Sequence, residues 1–134
     1  MVIGGGPAGL VAARTAAIKG HDVSLYEASS HLGGQFRSAA YPIGKGELST
    51  TTSSYRANLE ALNVPVHLNS EVSEEMIQEI KPDAIILATG AKPMVPPIKG
   101  IDGKNVFTAE DMLLGKYDIS NGPNCCLWWR RSWW

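Results

Sequence analysis

A glycine-rich turn between an apolar strand and an alanine-rich helix constrains the fold of this chain more than any other feature. Met1–Ile3 is typical of the end of a strand, and the helical stretch Pro7–Lys19 follows closely. Between them, Gly4, Gly6 and Gly9 form a Gly-x-Gly-x-x-Gly pattern. The first glycine permits a tight turn, the second lets a phosphate approach the backbone, and the third lets the helix pack closely on the sheet. The pattern predicts a phosphate-binding loop made of Gly4, Gly5, Gly6, Pro7, Ala8 and Gly9.

Both ends of the predicted helix carry residues that helices favour there. Pro7 stands at the first helical position, where its missing N–H costs no hydrogen bond. Gly20 is well placed to end the helix in a left-handed conformation. Because the first N–H groups of a helix are unpaired and carry the positive end of its dipole, we expect a diphosphate to lie at this N-terminus.

An acidic residue follows the second predicted strand, Val23–Tyr26. This residue, Glu27, lies roughly 20 residues after the glycine turn, where a carboxylate accepts hydrogen bonds from an adenosine ribose. The alternative is a glycine-rich turn followed by an exposed surface glutamate. The order of strand, turn, helix, strand and acid favours a dinucleotide site, and the carboxylate favours FAD or NAD over NADP.

Strand and helix signals continue to alternate after Glu27. The further predicted elements are a helix over Leu48–Leu62, a strand over Val64–Leu68, a short helix over Ser73–Ile80 and an apolar strand over Ala84–Ala88. Strands separated by helices predict an α/β fold, a Rossmann-like doubly wound parallel sheet covered on both faces. The hydroxylated run at 49–54 is poor in helix formers, so the first half of the Leu48–Leu62 helix is either helical or irregular.

Composition and charge limit the classes of partner. The formal net charge of −1 predicts no nucleic acid and no anionic membrane as a partner. No apolar run is long enough to span a bilayer, and nothing resembles a signal peptide. The cysteines, Cys125 and Cys126, are adjacent, which argues against a disulfide framework and a zinc pair. We therefore expect a cytoplasmic protein without a metal site whose partners are small-molecule dinucleotides, in an oligomeric state that these features leave open.

Two further segments resemble parts of known flavoproteins. His31–Phe36 holds a second glycine pair close to Glu27, and Leu87–Pro93 holds Ala-Thr-Gly at the end of the fourth strand. With the glycine loop, they resemble the FAD domain of two-dinucleotide oxidoreductases with the pyridine nucleotide-disulfide oxidoreductase fold. The closer resemblance is to the 2,4-dienoyl-CoA reductase, 2-enoate reductase and trimethylamine dehydrogenase family. It runs from residue 1 to about residue 124 and rests on Gly33-Gly34-Gln35, Ala39-Ala40-Tyr41-Pro42-Ile43-Gly44-Lys45, Ala88-Thr89-Gly90 and Pro96-Pro97-Ile98-Lys99-Gly100-Ile101.

The resemblance implies further positions in a cofactor site. The segment Gly33–Gln35 would lie along the pyrophosphate and ribityl chain of FAD, and the backbone at Val72 would meet the adenine. Thr89 and Gly90 would mark the crossing toward a nicotinamide-binding domain. The alternatives are an ordinary surface turn for the glycine pair and a strand end with its turn for Thr89-Gly90.

The resemblance also implies an activity. The chain would be the FAD-binding part of an NAD(P)H-dependent ene-reductase, which passes hydride through flavin to an enoate or an enoyl thioester. FMN and an iron–sulfur cluster would lie in upstream regions. Alternatives are a non-catalytic module that holds ADP, and an electron-input subunit like the glutamate synthase small chain. We predict no catalytic residue, because the flavin itself carries the hydride, and the absence of cysteine from 35–38 excludes thiol exchange there.

The three histidines are interpreted individually. His21 is expected to be a solvated turn residue, and His67 to be a packing or surface residue on a strand. His31 is expected either to donate to the pyrophosphate or to lie on the surface.

The sequence predicts three parts of the chain. Residues 1–110 form the incomplete first half of the FAD-binding domain, which we expect to be inactive alone, and residues 111–124 lead toward the NAD(P)-binding domain. Residues 125–134 hold all four tryptophans and both cysteines. Because tryptophan has the single codon TGG, two in succession read one base later give glycine twice. This tail is therefore predicted to be a frameshifted second glycine loop, with a genuine aromatic, cationic tail as the alternative. The nucleotide sequence distinguishes the two.

Overall fold

A computed structural model describes residues 1–42, 44–92 and 94–116 of the chain. The described residues fall into two compact units, which meet between Ala91 and Lys92 in the sequence. The predicted tail at 125–134 and all but the first residues of the predicted connection at 111–124 lie outside the described residues.

The first unit is built on a parallel sheet of four short strands, as the sequence predicts. The strands are β1 (Val2–Ile3), β2 (Leu25–Tyr26), β3 (Val66–His67) and β4 (Ile86–Leu87), in the spatial order β3-β2-β1-β4. The helices of this unit are α1 (Pro7–Ile18), α2 (Gln35–Ala39), α3 (Glu47–Ala61) and α4 (Glu74–Ile80). The strands are shorter than predicted, and α2 was not predicted.

The core lies where α1 and α3 pack on one face of the sheet. Val2 of β1 and Leu25 of β2 are direct register partners, and both are buried. Leu10 and Ala13 contribute the buried side of α1, and Leu59 contributes that of α3. Each fully buried leucine stabilises the fold by about 1.5–3 kcal/mol relative to an exposed one. This packing holds the start of α1, and with it the glycine turn, against the end of β1.

The hydroxylated first half of α3 is helical. The hydroxyls of Ser49, Thr50 and Ser53 donate to carbonyl oxygens of the preceding turn at 2.6, 2.7 and 3.2 Å. Such hydroxyls compete with the backbone for hydrogen bonds, yet here they bond within the helix while Leu59 anchors its second half in the core. The irregular alternative for this segment is therefore wrong.

The fourth strand is less covered than the sequence predicts. Ile86 is 41% exposed and Leu87 is 74% exposed. The reason is topological, because β4 lies at the edge of the four-stranded sheet and pairs with β1 alone. The predicted cover on both faces of the sheet is thus incomplete at this edge within the described residues.

The second unit contains a short helix, α5 (Ala109–Leu113), which was not predicted. Thr108 caps it, since its hydroxyl oxygen accepts a hydrogen bond from the N–H of Asp111 at 3.1 Å. Lys116, 2.7 Å from the Asp111 carboxylate, and the Thr108 hydroxyl lower the pKa of Asp111.

The described part of the chain contains neither a candidate membrane-spanning helix nor a candidate metal site. Within it, no helix combines the length and apolar character needed to cross a membrane. It also holds no group of three or more histidine, cysteine, aspartate or glutamate side chains placed to bind a metal ion.

Candidate functional site

The predicted site residues gather at one edge of the sheet. All four strands are parallel, so their carboxyl ends meet at the same edge, where ligands of open α/β sheets bind. Gly4 directly follows β1, Glu27 follows β2, and Thr89 lies two residues after β4. Tertiary structure thus places the glycine turn, the acid and the Ala-Thr-Gly segment side by side.

Gly4 and Gly9 are required by the closeness of α1 to the sheet. Gly4 has a φ of +110°, and a Cβ atom there would overlap the carbonyl group of Ala88. A Cβ atom at Gly9 would overlap the carbonyl oxygen of Gly4 and lie 3.4 Å from the Cβ of Ala88. Both mechanical reasons predicted for these glycines, the tight turn and the close packing, are confirmed.

Gly6 occupies a different environment. Its φ of −72° suits any residue, and a Cβ atom there would have no atom within 4 Å. As the N-cap of α1, Gly6 supplies no side-chain hydrogen bond to the first turn, and Pro7 follows it. The fold therefore does not require glycine at this position, but the open space in front of the helix N-terminus suits a phosphate group.

Glu27 is held by the glycine loop and by the loop that follows β2. Its Oε2 accepts a hydrogen bond from the N–H of Gly5 at 2.6 Å, and its Oε1 accepts one from the N–H of Ser29 at 2.8 Å. Partial burial raises the pKa of Glu27, but the hydrogen bonds from Ser29 and Gly5 outweigh burial and lower the pKa below its ordinary value of 4.5. The carboxylate is therefore ionised at neutral pH, and each oxygen keeps acceptor capacity for a ribose hydroxyl.

Sequence reasoning missed Ser29 and did not foresee how Gly5 packs in this arrangement. Gly5 was included only as part of the loop, yet a Cβ atom there would lie 2.6 Å from Cδ2 of Leu32 and 3.0 Å from Oε2 of Glu27. Ser29 was not singled out, although its N–H fixes the second carboxylate oxygen. No residue type signals this contact in the sequence, because the donor is a backbone N–H that every residue except proline carries.

The second glycine pair packs on the first glycine loop. The N–H of Gly33 donates to the carbonyl oxygen of Gly5 at 2.8 Å, and a Cβ atom at Gly34 would lie 3.2 Å from the Cα of Gly6. Both residues have positive φ angles, +110° and +48°. The pair is thus more than a surface turn, because it forms one wall beside Gly6.

Gln35 links this wall to the end of β4. Its Nε2 donates to the carbonyl oxygen of Ala91 at 3.1 Å. Thr89 and Gly90 lie just before Ala91, both exposed, and Gly90 has a φ of +74°. The side chain therefore holds the chain after β4 next to the start of α2.

Val72 is brought less directly to the site. The residues before Val72 bind the loop after β2. The N–H of Asn69 donates to the carbonyl oxygen of Ser29 at 3.0 Å, and the N–H of Ser70 donates to the backbone carbonyl oxygen of Glu27 at 2.9 Å. Val72 itself is half-buried two residues further on. The segment that the resemblance assigns to adenine thus begins beside Glu27.

All three histidines are exposed. His31 is exposed, and its Nδ1 lies 2.7 Å from the hydroxyl of Ser30. His67 is exposed on β3 and stacks on Tyr26 with ring centroids 4.5 Å apart, so it is both a surface and a packing residue. His21 is exposed between α1 and β2, as expected of a turn residue.

A pH prediction follows from the hydrogen bonds to Glu27. Because the folded-state pKa of Glu27 is lowered, its contribution to stability is present above about pH 4.5 and is lost as the pH falls through the folded-state value. In denaturation measured between neutral pH and pH 3, we expect the free energy of unfolding of Glu27→Gln to depend less on pH in this acidic range than that of the wild type. Glu74→Gln, at an exposed position on α4, is the control, and equal slopes for Glu27→Gln and the wild type would refute the prediction.

The sheet and its glycine turn define a Rossmann-like α/β domain. Comparison with known proteins is more specific, because residues 1–120 match the pattern of the family described as pyridine nucleotide-disulphide oxidoreductase. The chain belongs to this family.

Individual relatives and solved structures agree with this assignment. The chain is 44% identical over 118 residues to an NADH oxidase of Thermoanaerobacter brockii, and 38% identical over 119 residues to a cinnamate reductase of Clostridium sporogenes. These matches cover 87% and 89% of this chain but only 18% of each relative. The structure of a 2-naphthoyl-CoA reductase superposes with a TM-score of 0.83 at 36% identity, over 87% of this chain and 18% of that one. The chain thus spans about a fifth of the length of these relatives.

Proposed function

We propose that this chain is the FAD-binding part of an NAD(P)H-dependent flavoprotein oxidoreductase that acts as an ene-reductase. The observation that carries the proposal is the cradle around Gly6. Open space in front of the α1 N-terminus is bounded by the second glycine pair, beside the ionised carboxylate of Glu27. The residues present therefore fit a dinucleotide, with its diphosphate at Gly6 and its ribose at Glu27.

Each predicted segment has a proposed task in this site. The loop Gly4–Gly9 binds the pyrophosphate through backbone N–H groups, and Glu27 orients the adenosine through its ribose. The pair Gly33–Gly34 lines the path toward the ribityl chain, and Gln35 keeps the Thr89–Gly90 segment near that path through its bond to Ala91. The backbone at Val72 borders the adenine. Flavin, when bound, supplies the hydride chemistry.

The reducing activity is proposed from the family and its members. One relative is named a cinnamate reductase. One similar solved structure is that of a 2-naphthoyl-CoA reductase complex. Both names describe the reduction of conjugated substrates. For the protein that contains this chain we propose an activated alkene as hydride acceptor, with FMN and an iron–sulfur cluster as further cofactors and the cytoplasm as its location.

The test uses the intact protein that contains this chain. We expect it to purify with FAD, identified after extraction, and to lose its yellow colour when NADH or NADPH is added without oxygen. The expected acceptors are enoates or enoyl thioesters. A protein in which this chain binds ADP tightly and takes up no FAD would instead be the non-catalytic nucleotide module.

The ribose assignment has its own test. We expect Glu27→Ala to weaken FAD binding to the intact protein by about 1–3 kcal/mol, the usual loss when one charge-assisted partner is removed. Titration of the apoprotein with FAD measures the change, and Glu75→Ala, at an exposed position on α4, is the control. Unchanged FAD affinity in Glu27→Ala would mean that this carboxylate does not bind the ribose.

A further inference from the structure

A cavity of about 600 Å³, broadly open to solvent, lies between α2, α3 and the loop at 30–32. From α2 and the turn after it come Phe36, Arg37 and Tyr41, and from α3 come Ser53 and Arg56. The volume is in the range of sites that hold small organic ligands. The hydroxylated half of α3, to which the dinucleotide site assigns no task, forms one of its walls.

The cavity is separate from the proposed dinucleotide site. None of the residues proposed to bind the dinucleotide lines it. Leu32 is buried against Gly5 and stands between the cavity and the glycine loop. Gln35, at the start of α2, bonds toward the end of β4, whereas the lining residues of α2 face α3. The glycine pair lies between the two regions, because a Cβ atom at Gly33 would lie 3.0 Å from Oγ1 of Thr52.

The lining of the cavity is positively charged. Within the described residues, the guanidinium group of Arg37 makes no hydrogen bond or ion pair, and only its backbone is bonded, to Gly34 and Ala40. Arg56 forms an ion pair with Glu60 through its Nε at 3.0 Å, which offsets part of its charge but leaves its terminal nitrogens for a ligand. His31 adds a ring whose Nδ1 alone is engaged, with the Ser30 hydroxyl. No carboxylate is among the lining residues, so the cavity favours an anion.

The kind of anion follows from the number and type of these groups. Two guanidinium groups match a phosphate monoester, which carries about −1.5 to −2 charges at pH 7, better than they match a single carboxylate. Arginine also binds phosphate oxygens in a bidentate manner. Phe36 and Tyr41 add aromatic surface beside this charge, which suits a ring in the ligand.

We propose that the cavity between α2 and α3 is a second binding site, which takes a phosphate monoester bearing an aromatic group. Arg37 and Arg56 bind the phosphate, and Phe36 and Tyr41 contact the ring. The site acts independently of dinucleotide binding, so a result that refutes this second site would leave the proposed function untouched.

The experiment is titration calorimetry of the intact protein, saturated with FAD, using phenyl phosphate as the probe. We expect phenyl phosphate to bind, to bind more tightly than inorganic phosphate or phenylacetate, and to lose at least about 10-fold in affinity in Arg37→Gln. Arg14→Gln, which alters an arginine of α1 outside this cavity, should bind phenyl phosphate like the wild type. Both variants should keep their full flavin content.

A second variant tests the cavity by filling it. Ser53 is exposed, so Ser53→Tyr should fold normally while its side chain occupies the space and abolishes phenyl phosphate binding. The proposal is overturned if phenyl phosphate does not bind, or if Arg37→Gln and Ser53→Tyr bind it as the wild type does. Tighter binding of phenylacetate overturns the choice of a phosphate. Competition between phenyl phosphate and FAD overturns the separation of the two sites.

Discussion

Gly6→Val is expected to abolish dinucleotide binding while the fold remains intact. The backbone at Gly6 has an ordinary extended conformation, and a Cβ atom there would meet nothing within 4 Å, so valine costs the apoprotein little. The branched side chain would instead fill the space in which the diphosphate must approach the helix N-terminus. We expect FAD affinity to fall at least about 100-fold, or about 2.8 kcal/mol, in titration of the intact apoprotein.

The control for Gly6→Val makes the same change at another helix N-cap. Gly46, which precedes α3, also has a negative φ and open space around a Cβ atom. Gly46→Val should therefore retain FAD at the wild-type level. Circular dichroism should show the same helix content for both variants. If Gly6→Val purifies with stoichiometric flavin, the glycine loop is not the phosphate site.

Gly9→Ala is expected to destabilise the fold, whereas Gly6→Val is expected to impair ligand binding. A Cβ atom at Gly9 would overlap the Gly4 carbonyl oxygen and crowd Ala88, and the overlapped oxygen belongs to the backbone, which has little room to move. Overpacking of this kind costs about 1–3 kcal/mol and occasionally more, and we expect about 3 kcal/mol here. Chemical denaturation of the intact protein measures the loss.

Gly46→Ala is the matched control for Gly9→Ala. It replaces the same residue type with the same side chain, where the added Cβ atom would meet nothing within 4 Å. Its midpoint of denaturation should stay close to that of the wild type. A wild-type midpoint for Gly9→Ala would show that α1 does not need glycine to approach β1 and β4. Together, the changes at Gly6 and Gly9 separate the glycine needed for the ligand from the glycine needed for the fold.

Local sequence signals predicted the elements that place the site. The glycine turn between Met1–Ile3 and Pro7–Lys19 gave β1 and α1 almost to their observed ends. The apolar spacing in Leu48–Leu62 predicted α3, observed over Glu47–Ala61, although its hydroxylated half argued for irregular structure. These predictions succeed because apolar side chains recur with short periods in strands and helices, and a single segment is long enough to show such a period. The five-residue helices α2 and α5 escaped notice because segments this short carry little periodicity.

The sequence by itself determined that a glycine loop opens a helix and that an acid follows the next strand. Only the tertiary structure decided how these parts meet, because the decisive contacts join residues far apart in the chain. The bond from Gly5 to Glu27 spans 22 positions, and that from Gln35 to Ala91 spans 56. Both depend on the strand order β3-β2-β1-β4, which places β2 and β4 on either side of β1. No local pattern encodes that order, because each pair of neighbouring strands joins segments that are far apart in the chain.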